Sequence, residues 1–523
     1  MKKKRIVSTL LALLLFAGLP VSALADTWDI SKGDIAVNAG SGGQTVTQGG
    51  GAAVEDSAPV ITGSSTENTL TIKAESGQTA NVTLSGANID VSGKGKAAVS
   101  TNGEGNVSIE LNGDNTLKSG KGHAGLEKKN GGKLTIADED KNGKLTAEGG
   151  KYGAGIGGGD QGAGSGITIT GGEIKATGGQ YGAGIGGGKG DGSDITISGG
   201  EVNATGGTSG AGIGGGYNGN GSDITITDGE VNATGGKYGA GIGGGEYGIG
   251  KDIIITGGEV NATGGRFSAG IGGGSRGTGS DITISGGEVN ASGGVNGAGI
   301  GGGLRSKGKD ITVSGDTKLK VQGGDEDHYD GAGAGIGDGG SRPKGSTGGS
   351  PIPGAEVEPD TSGLTTNGSI EYYAPGADME KDKPTSTTTG KPTEPGKPTE
   401  PTEPTEPGKP TEPIEPAVPE QPEAERGMDA PLYFITDRDG RAVRCRAERK
   451  GGVLTVTVDE DFAVLTSSLS GMTALRAQGI EKIIFVTNGA KTAVKLSTII
   501  SKLTANGVFR LTHDGKAVTF TLG

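Results

Sequence analysis

The chain has 523 residues, of which 113 are glycine and only 3% are aromatic, and its formal net charge is −13. This composition excludes a layered globular domain, and without a collagen-type period the glycines indicate tight turns in a repeating array. The acidic balance argues against nucleic acid or anionic lipid as a partner and favours a cation or a neutral polymer.

Residues 1–25 have the features of a secretory signal peptide. The basic stretch Lys2–Arg5 is followed by the apolar stretch Ile6–Leu19 and by the small-residue motif Ala23-Leu24-Ala25. We therefore expect export from a bacterial-type cell and an extracellular location, in the medium or at the cell surface. No later apolar run is long enough to span a bilayer, so no membrane insertion is expected.

An internal repeat follows an N-terminal segment, 26–59, that is predicted to be a cap. Within residues 60–340 the pentapeptide G-I-G-G-G recurs at intervals of 28 or 29 residues, a period typical of a solenoid or a propeller. The isoleucines of these pentapeptides are Ile156, Ile185, Ile213, Ile242, Ile271 and Ile300.

Each repeat contains three short segments in which polar and apolar residues alternate, separated by glycine turns. Such alternation predicts strands rather than helices. Three short strands do not make a four-stranded propeller blade, so we predict a mainly-β fold, a parallel β-helix of roughly ten coils of about 29 residues. In one coil the side chains predicted to face inward are Ile195, Ile197, Val202, Ala204 and Ile213.

Two different regions follow the repeats. Residues 341–427 are rich in Pro, Thr and Glu and are predicted to be a disordered, extended linker. Residues 428–523 are predicted to form a small α+β domain, through which a cell-wall or surface partner could be contacted. Its predicted strands are 453–458, 482–487, 508–512 and 516–522, and its predicted helices are 469–478 and 493–505. The single cysteine, Cys445, excludes a disulfide framework.

Two acidic columns are expected along the solenoid, because equivalent residues of successive coils lie about 4.8 Å apart. Ca²⁺, which prefers carboxylate and carbonyl oxygens, would offset their mutual repulsion and is the expected cofactor if a metal binds. The alternative is that nearby lysines and solvent suffice. The aspartates of the first column, the candidate metal ligands, are Asp194, Asp223, Asp252 and Asp281, followed by Asp310. The second column contains Glu173, Glu201, Glu230, Glu259 and Glu288.

An aromatic column is the second candidate site. It lies four residues before the repeat isoleucines and contains the predicted carbohydrate-binding residues Tyr152, Tyr181, Tyr238 and Phe267. Aromatic faces stack on the apolar faces of sugar rings, so an exposed row would suit a glycan. An internal aromatic stack is the alternative, although Ser209 and Asn296, in the same column, would be poorly tolerated in a dry core.

Two polar columns have structural interpretations. Asparagines 203, 232, 261 and 290 are expected to form a ladder of stacked side-chain amides rather than glycosylation sites. Threonines 196, 225, 283 and 312 could form a flat array that orders water, as an ice-binding surface does, but Ile254 interrupts that row.

Little in the sequence supports catalysis. The histidines, His123, His328 and His513, occur in unrelated contexts and are each predicted to lie at the surface, and no carboxylate pair stands out from the repeats. We therefore predict a protein that is not an enzyme. A lyase that uses Ca²⁺ and a basic residue is the minority alternative, and Arg266, Arg276 and Arg305 would be available to it.

The segment 81–113, NVTLSGANIDVSG…VSIELNGDN, and the later GGKLTI and GAGIGGG blocks resemble secreted bacterial carbohydrate-binding domain proteins. That family is similar in fold to right-handed β-helix polysaccharide lyases. It is associated with calcium and with plant cell-wall polysaccharides such as cellulose and pectic acid. The resemblance covers residues 60–340 and implies a right-handed β-helix that binds a glycan, but it matches no calcium ligands to positions of this chain.

The sequence therefore predicts a secreted, non-catalytic polysaccharide-binding protein, with calcium dependence expected if the acidic columns bind metal. A structural surface protein or adhesin, in which the repeats act as a rigid spacer, is the alternative.

Overall fold

The computed structural model describes residues 25–342, 350–390, 434–436, 446–450, 452–458, 460–468, 472, 475–476, 480–500, 508–515 and 517–522. All but the last residue of the predicted signal peptide, and residues 343–349 and 391–427 of the predicted linker, lie outside these residues. The chain divides into two compact units, 1–393 and 394–523, which are described separately below.

The first unit is a parallel β-helix of the right-handed type with about 13 turns, so the predicted fold class is confirmed. Its strands form a 21-stranded sheet and a 13-stranded sheet. Strand bounds in the first turns are Thr27–Asp29, Ile35–Gly40, Gly43–Gln48, Val54–Glu55, Val60–Thr62, Ser64–Ser65, Leu70–Ala74, Thr79–Ser85, Asn88–Asp90, Val99–Asn102, Asn106–Asn112, Asp114–Lys118, Leu126–Lys128, Leu134–Ala137 and Lys144–Glu148, with a 3-10 helix at Ile30–Lys32.

The regular coils begin at the first G-I-G-G-G pentapeptide. In two of them the first and second strands are continuous, which gives 14-residue strands. Their bounds, with those of the last turns, are Ile156–Gly157, Gly164–Ile169, Glu173–Thr177, Ile185–Gly186, Gly192–Thr205, Ile213–Gly214, Gly221–Thr234, Ile242–Gly243, Gly250–Ile255, Glu259–Thr263, Ile271–Gly272, Gly279–Ile284, Glu288–Ser292, Ile300–Gly301, Gly308–Val313, Lys318–Gln322, Ile336–Gly337, Ser369–Tyr373 and Ser386–Thr389.

The register of these strands follows the sequence repeat. Ile185 is the Cα partner of Ile213, and Ile213 is the partner of Ile242, so equivalent residues of successive coils form columns. The five side chains predicted to face inward are at most 1% exposed. The alternation of polar and apolar residues therefore identified the core, a stack of isoleucine, valine and alanine side chains.

Glycine is required where successive turns approach each other closely. Gly214 has φ +127°, and a Cβ at this position would lie 2.1 Å from the carbonyl oxygen of Gly243. Gly186 and Gly243 are related in the same way to the next coil. The third strand of each coil is therefore rich in glycine because the backbones of successive coils pack directly against each other there.

The β-helix extends beyond the predicted repeat region at both ends. The strand Thr27–Asp29 pairs in parallel with Val60–Thr62, so the segment 26–59 already belongs to the first turn. At the other end, Ser369–Tyr373 pairs in parallel with Lys318–Gln322, inside the predicted linker. The last strand of the 13-stranded sheet is covered by Glu356, whose carboxylate accepts hydrogen bonds from the N–H groups of Gly335 and Ile336 at 2.7 and 3.0 Å.

The second unit contains two four-stranded sheets packed around a separate core that includes Leu454, Leu465, Phe485 and Phe509. The predicted strands at 453–458, 482–487, 508–512 and 516–522 are present. Its strands are Phe434–Thr436, Arg446–Lys450, Val453–Thr457, Phe462–Ser468, Lys482–Val486, Lys491–Lys495, Val508–Asp514 and Ala517–Leu522, and a helix spans Leu496–Ile500.

One predicted helix of this unit is wrong at its start. Residues 493–495 belong to the strand Lys491–Lys495, which pairs antiparallel with Lys482–Val486, and the helix begins only at Leu496. The turn between these strands contains Asn488-Gly489, a typical hairpin signal that outweighs the helical spacing of the apolar residues. Of the predicted helix 469–478, the described residues Met472, Leu475 and Arg476 are helical, and the others lie outside the described residues.

Candidate functional site

The four aromatic residues predicted to bind sugar form a column at one edge of the coils. They lie in the turns that precede the G-I-G-G-G strands. The N–H group of Tyr181 donates to the Lys151 carbonyl at 3.1 Å, and that of Tyr238 donates to the Thr208 carbonyl at 2.9 Å. These bonds between successive turns hold the aromatic side chains in line along the solenoid.

The rings of this column stack in pairs. The centroids of Tyr152 and Tyr181 are 5.3 Å apart with an interplanar angle of 15°, and those of Tyr238 and Phe267 are 5.8 Å apart with an angle of 12°. All four side chains are half-buried and lie outside the hydrophobic core. The rings therefore stack on each other, as expected for an aromatic stack inside the core. The stack lies at the surface, however, and part of each ring is open to solvent.

Polar residues replace the rings at two positions of the column, and both are buried. The Ser209 hydroxyl donates to the Glu246 carboxylate at 2.7 Å. The Asn296 amide donates to the carbonyls of Asp330 and Gly331, both at 2.8 Å. Each polar residue thus makes hydrogen bonds to a neighbouring loop, while the buried Asn296 Oδ1 has no hydrogen-bond partner among the described residues.

Two further tyrosines, which the sequence analysis missed, join the column from the loops that follow the G-I-G-G-G strands. Tyr217 lies edge-on to Tyr181 with centroids 5.5 Å apart, and Tyr247 lies edge-on to Tyr217 at 6.2 Å. Their loops vary in sequence between repeats, so no column was visible in the sequence. We call the six residues together the aromatic ridge: Tyr152, Tyr181, Tyr217, Tyr238, Tyr247 and Phe267.

The loop residues beside the ridge have an unusual backbone conformation. Tyr247, Arg276 and Arg305 occupy equivalent loop positions with φ of 66°, 63° and 56°. This left-handed conformation is unfavourable for bulky residues and persists only where the surroundings impose it. Here the N–H groups of Tyr247 and Arg305 donate to carbonyls of the following coil, at 2.9 and 3.0 Å. The strained turns therefore present aromatic and basic side chains next to the stacked rings.

Cationic side chains surround the ridge, although the chain as a whole is acidic. The Lys189 ammonium lies 5.3 Å from the Tyr152 ring centroid, and the Lys237 ammonium lies 4.9 Å from that of Tyr238. The Arg266 guanidinium lies 5.0 Å from the Phe267 centroid. Such cation–π contacts are favourable, and they place several positively charged groups beside the ridge. The other cations within 6 Å of a ridge ring are Lys121, Lys151 and Arg276.

A cleft of about 360 Å³ lies beside the rings of Tyr238, Tyr247 and Phe267. Arg305 makes a bidentate ion pair with the buried Asp330 there, at 2.7 and 2.6 Å, which raises the pKa of the guanidinium and holds it in place. The cleft combines aromatic faces with polar and charged groups, as a sugar site does. Its other lining residues include Glu246, Ser275, Arg276, Leu304, Asp327, Tyr329 and Arg342.

The candidate metal ligands have a local structural role. Asp194, Asp223, Asp252 and Asp281 have φ between 49° and 55°, in the left-handed region. Aspartate, asparagine and glycine adopt this conformation most readily, and the preceding coil has Gly166 with φ 67° just before its Ile167. A required turn conformation therefore accounts for the repetition of aspartate without a ligand.

Lysines accompany part of the aspartate column. Lys251 pairs with Asp252 at 2.9 Å and Lys309 pairs with Asp310 at 2.8 Å, and the carboxylate raises the pKa of each lysine. Among the residues that the structure describes, no three His, Cys, Asp or Glu side chains are grouped closely enough to hold a metal ion. Calcium binding by the column remains a prediction.

The second acidic column is in register across five coils, from Glu173 to Glu288, and a lysine lies at each end. Lys144 pairs with Glu173 at 2.6 Å, and Lys318 is the Cα partner of Glu288. The five glutamates are exposed on the same sheet face. Exposure to solvent and the lysines at its two ends therefore reduce the repulsion within this column.

The predicted asparagine ladder is confirmed. Asn232 donates to Asn203, Asn261 donates to Asn232, and Asn290 donates to Asn261, at 3.2, 2.9 and 2.7 Å. The ladder uses the amides for coil-to-coil contact. The threonine row is also in register, and Ile254, which is 40% exposed, interrupts it as expected.

The histidine prediction was wrong for His513, which is completely buried in the second unit. Its ring nitrogens lie 3.1 and 2.9 Å from the hydroxyls of Thr487 and Thr492, and burial lowers its pKa. His123 is partly exposed, and its Nδ1 lies 2.5 Å from a carboxylate oxygen of the buried Glu127. His328 is exposed.

Six segments of the first unit match the model of the beta helix repeat family: residues 141–160, 167–189, 195–217, 224–246, 253–275 and 282–304. No curated protein and no solved structure matches the chain. Within the described ranges, no helix combines the length and apolar character that crossing a membrane requires.

Proposed function

We propose that this chain, whose coils match the beta helix repeat, is a secreted, non-catalytic protein that binds a polysaccharide along its aromatic ridge. The observation that carries the proposal is the row of six half-buried or exposed rings along one edge of the solenoid. Sugar rings have apolar faces that pack on aromatic side chains, and a row repeated from coil to coil offers the solvent-exposed parts of several rings in succession. A polymer uses that arrangement better than a small ligand does.

The charges beside the ridge favour an acidic polysaccharide of the plant cell-wall type. Lys189, Lys237 and Arg266 contact ring faces, and Arg276 lines the adjacent cleft. Guanidinium and ammonium groups bind carboxylates by charge-assisted hydrogen bonds. A uronate chain would thus stack its rings on the ridge while its carboxylates contact these cations.

Retention on insoluble polysaccharides tests the proposal. Full-length protein is mixed with cellulose, pectin and chitin, with Ca²⁺ or with a chelator, and the bound fraction is measured. We expect pectin to retain the protein most strongly. The double variants Tyr152→Ala/Tyr181→Ala and Tyr238→Ala/Phe267→Ala should each weaken binding at least about thirtyfold, because each removes two rings and the stacking of a nucleic-acid base on one aromatic side chain already contributes on the order of 1–3 kcal/mol.

A matched control is Glu201→Gln/Glu230→Gln, which changes two exposed residues in neighbouring coils on another face. It should bind as the wild type does. Retention on none of the polysaccharides, or equal retention of the ridge variants and the wild type, would contradict the proposal. Calcium dependence is tested in the same assay: a bound fraction that the chelator leaves unchanged would exclude a calcium requirement.

A rigid surface spacer or adhesin is the second candidate function. The parallel pairing of successive G-I-G-G-G strands in register favours it, since one long stiff body is also what a spacer needs. A protein that no polysaccharide retains, but that is found at the cell surface, would support this function instead. A polysaccharide lyase is tested separately: release of unsaturated, ultraviolet-absorbing sugars from pectin would show catalysis.

Secretion is part of the proposal and rests on the leader sequence. Sequencing the N-terminus of the protein recovered from the medium or the cell surface should give Asp26 as the first residue. An intact leader on cell-internal protein would contradict it.

A further inference from the structure

The C-terminal part of the second unit, residues 428–523, differs in charge from the rest of the chain. Residues 428–523 contain 13 lysines and arginines and nine aspartates and glutamates, whereas the whole chain contains 48 basic and 61 acidic residues. The basic residues of 428–523 are not part of the ridge and do not belong to the proposed polysaccharide site. A basic domain in an acidic protein indicates an anionic partner.

Several of these basic residues line one cleft of about 500 Å³. Arg476, Lys482 and Lys495 contribute three positive charges, and Glu481 contributes one negative charge. The backbone of Glu481 is fixed by hydrogen bonds, from its N–H to the Gly452 carbonyl at 2.7 Å and from the Leu496 N–H to its carbonyl at 2.9 Å. The remaining lining residues are Gly452, Val453, Leu496 and Ser497.

Two of the three cations are forced together by strand pairing. Lys482 and Lys495 are direct Cα partners on antiparallel strands, so their side chains extend from the same face of the sheet. Like charges in directly opposite positions destabilise a sheet. Within the part of the chain that the structure describes, neither lysine nor Arg476 has an acidic side chain within 4 Å. The repulsion would be relieved by an anion bound between them.

We propose that this cleft is a binding site for a multivalent oxyanion, with Arg476, Lys482 and Lys495 as its ligands. A guanidinium presents a planar pair of N–H donors that matches two oxygens of one phosphate or carboxylate group, and the ammonium groups add further donors. The site would let the second unit attach to a polyanion independently of the ridge, and it does not depend on the proposed glycan binding.

Calorimetric titration of the full-length protein with tripolyphosphate, at constant ionic strength, tests the site. The wild type should bind. The variant Lys482→Gln/Lys495→Gln should bind at least about tenfold more weakly, because each lost charge-assisted hydrogen bond weakens binding substantially. The matched control is Lys491→Gln/Arg510→Gln, which removes two exposed charges of the same unit outside the cleft. It should change the affinity less than twofold.

Cations of the ridge also attract anions, so Lys151→Gln/Lys237→Gln is measured in parallel, and it should keep the tripolyphosphate binding that Lys482→Gln/Lys495→Gln loses. Equal affinities of the cleft variant and the wild type would overturn the proposal. So would absence of binding to the wild type, or an equal loss in the Lys491→Gln/Arg510→Gln control, which would show an effect of net charge alone. Failure of the pectin assay leaves this result unaffected, because the two sites are changed by different variants.

Discussion

Several glycines in each coil allow the close approach of successive turns, and Gly214 is one of them. Gly214 has a backbone conformation that L-residues rarely adopt, and an added Cβ would meet the Gly243 carbonyl. We predict that Gly214→Ala destabilises the first unit by about 1–3 kcal/mol, the range for overpacked sites. Thermal unfolding of the two proteins measures it. Gly93→Ala is the control, because a Cβ at Gly93 meets nothing within 4 Å. Equal melting temperatures for wild type and Gly214→Ala would refute this account of the glycine.

His513 gives the second unit a predictable pH dependence. Burial lowers the pKa of this side chain below its usual 6.5, so the unfolded chain binds the proton more readily than the folded chain. The stability contribution is therefore complete above about pH 6.5 and is lost as the pH falls through the lowered pKa. Urea unfolding followed by pulse proteolysis should show a weaker second unit at pH 5 than at pH 7.5. In His513→Gln, which cannot take up this proton, the difference between the two pH values should be smaller.

The asparagine ladder connects four successive coils through side-chain hydrogen bonds. Asn232→Ala would leave the Asn203 oxygen and the Asn261 amide without their ladder partners. We expect a loss of about 1–3 kcal/mol, the usual effect of an unsatisfied group that is partly buried. Thermal unfolding compared with Thr234→Ala, an exposed residue on the same strand, measures it. A Thr234→Ala variant as unstable as Asn232→Ala would mean that the strand, and not the ladder, is responsible.

The sequence predicts the strands of the solenoid well because the period of two is repeated in every coil. Ile195 and Val202 were placed in the core correctly, since each has equivalents in the neighbouring coils. Tyr217 and Tyr247 were missed because their loops differ between repeats and only the fold brings them to the ridge. The strand Lys491–Lys495 was mistaken for part of a helix, because the spacing of its apolar residues also fits a helix, whereas its pairing in a hairpin with Lys482–Val486 decides its conformation.

In the first unit as a whole, one coil can be removed without changing the register of the others. Ile224 is the Cα partner of Ile253, so deleting residues 224–252 joins Asp223 to Ile253 and removes one complete turn. Repeat proteins tolerate such deletions, since each repeat contacts only its neighbours. We predict a folded β-helix with the same circular dichroism per residue and weaker pectin binding, because Tyr238 and Tyr247 are lost. Deleting only 224–237 should prevent cooperative unfolding, because it breaks the register of every later coil.

The two ends of the β-helix are covered, and this covering limits the number of coils. Every coil offers its N–H and carbonyl groups to the next one, so the last coil would accept a coil from another molecule just as readily. The Glu356 carboxylate occupies two of those N–H groups, and at the other end the hairpin Ile35–Gly40 and Gly43–Gln48 turns the chain back across the first turn. A solenoid that lacked these ends would be the repeating unit of a filament. In this chain, the two covered ends prevent further coils from being added to the β-helix.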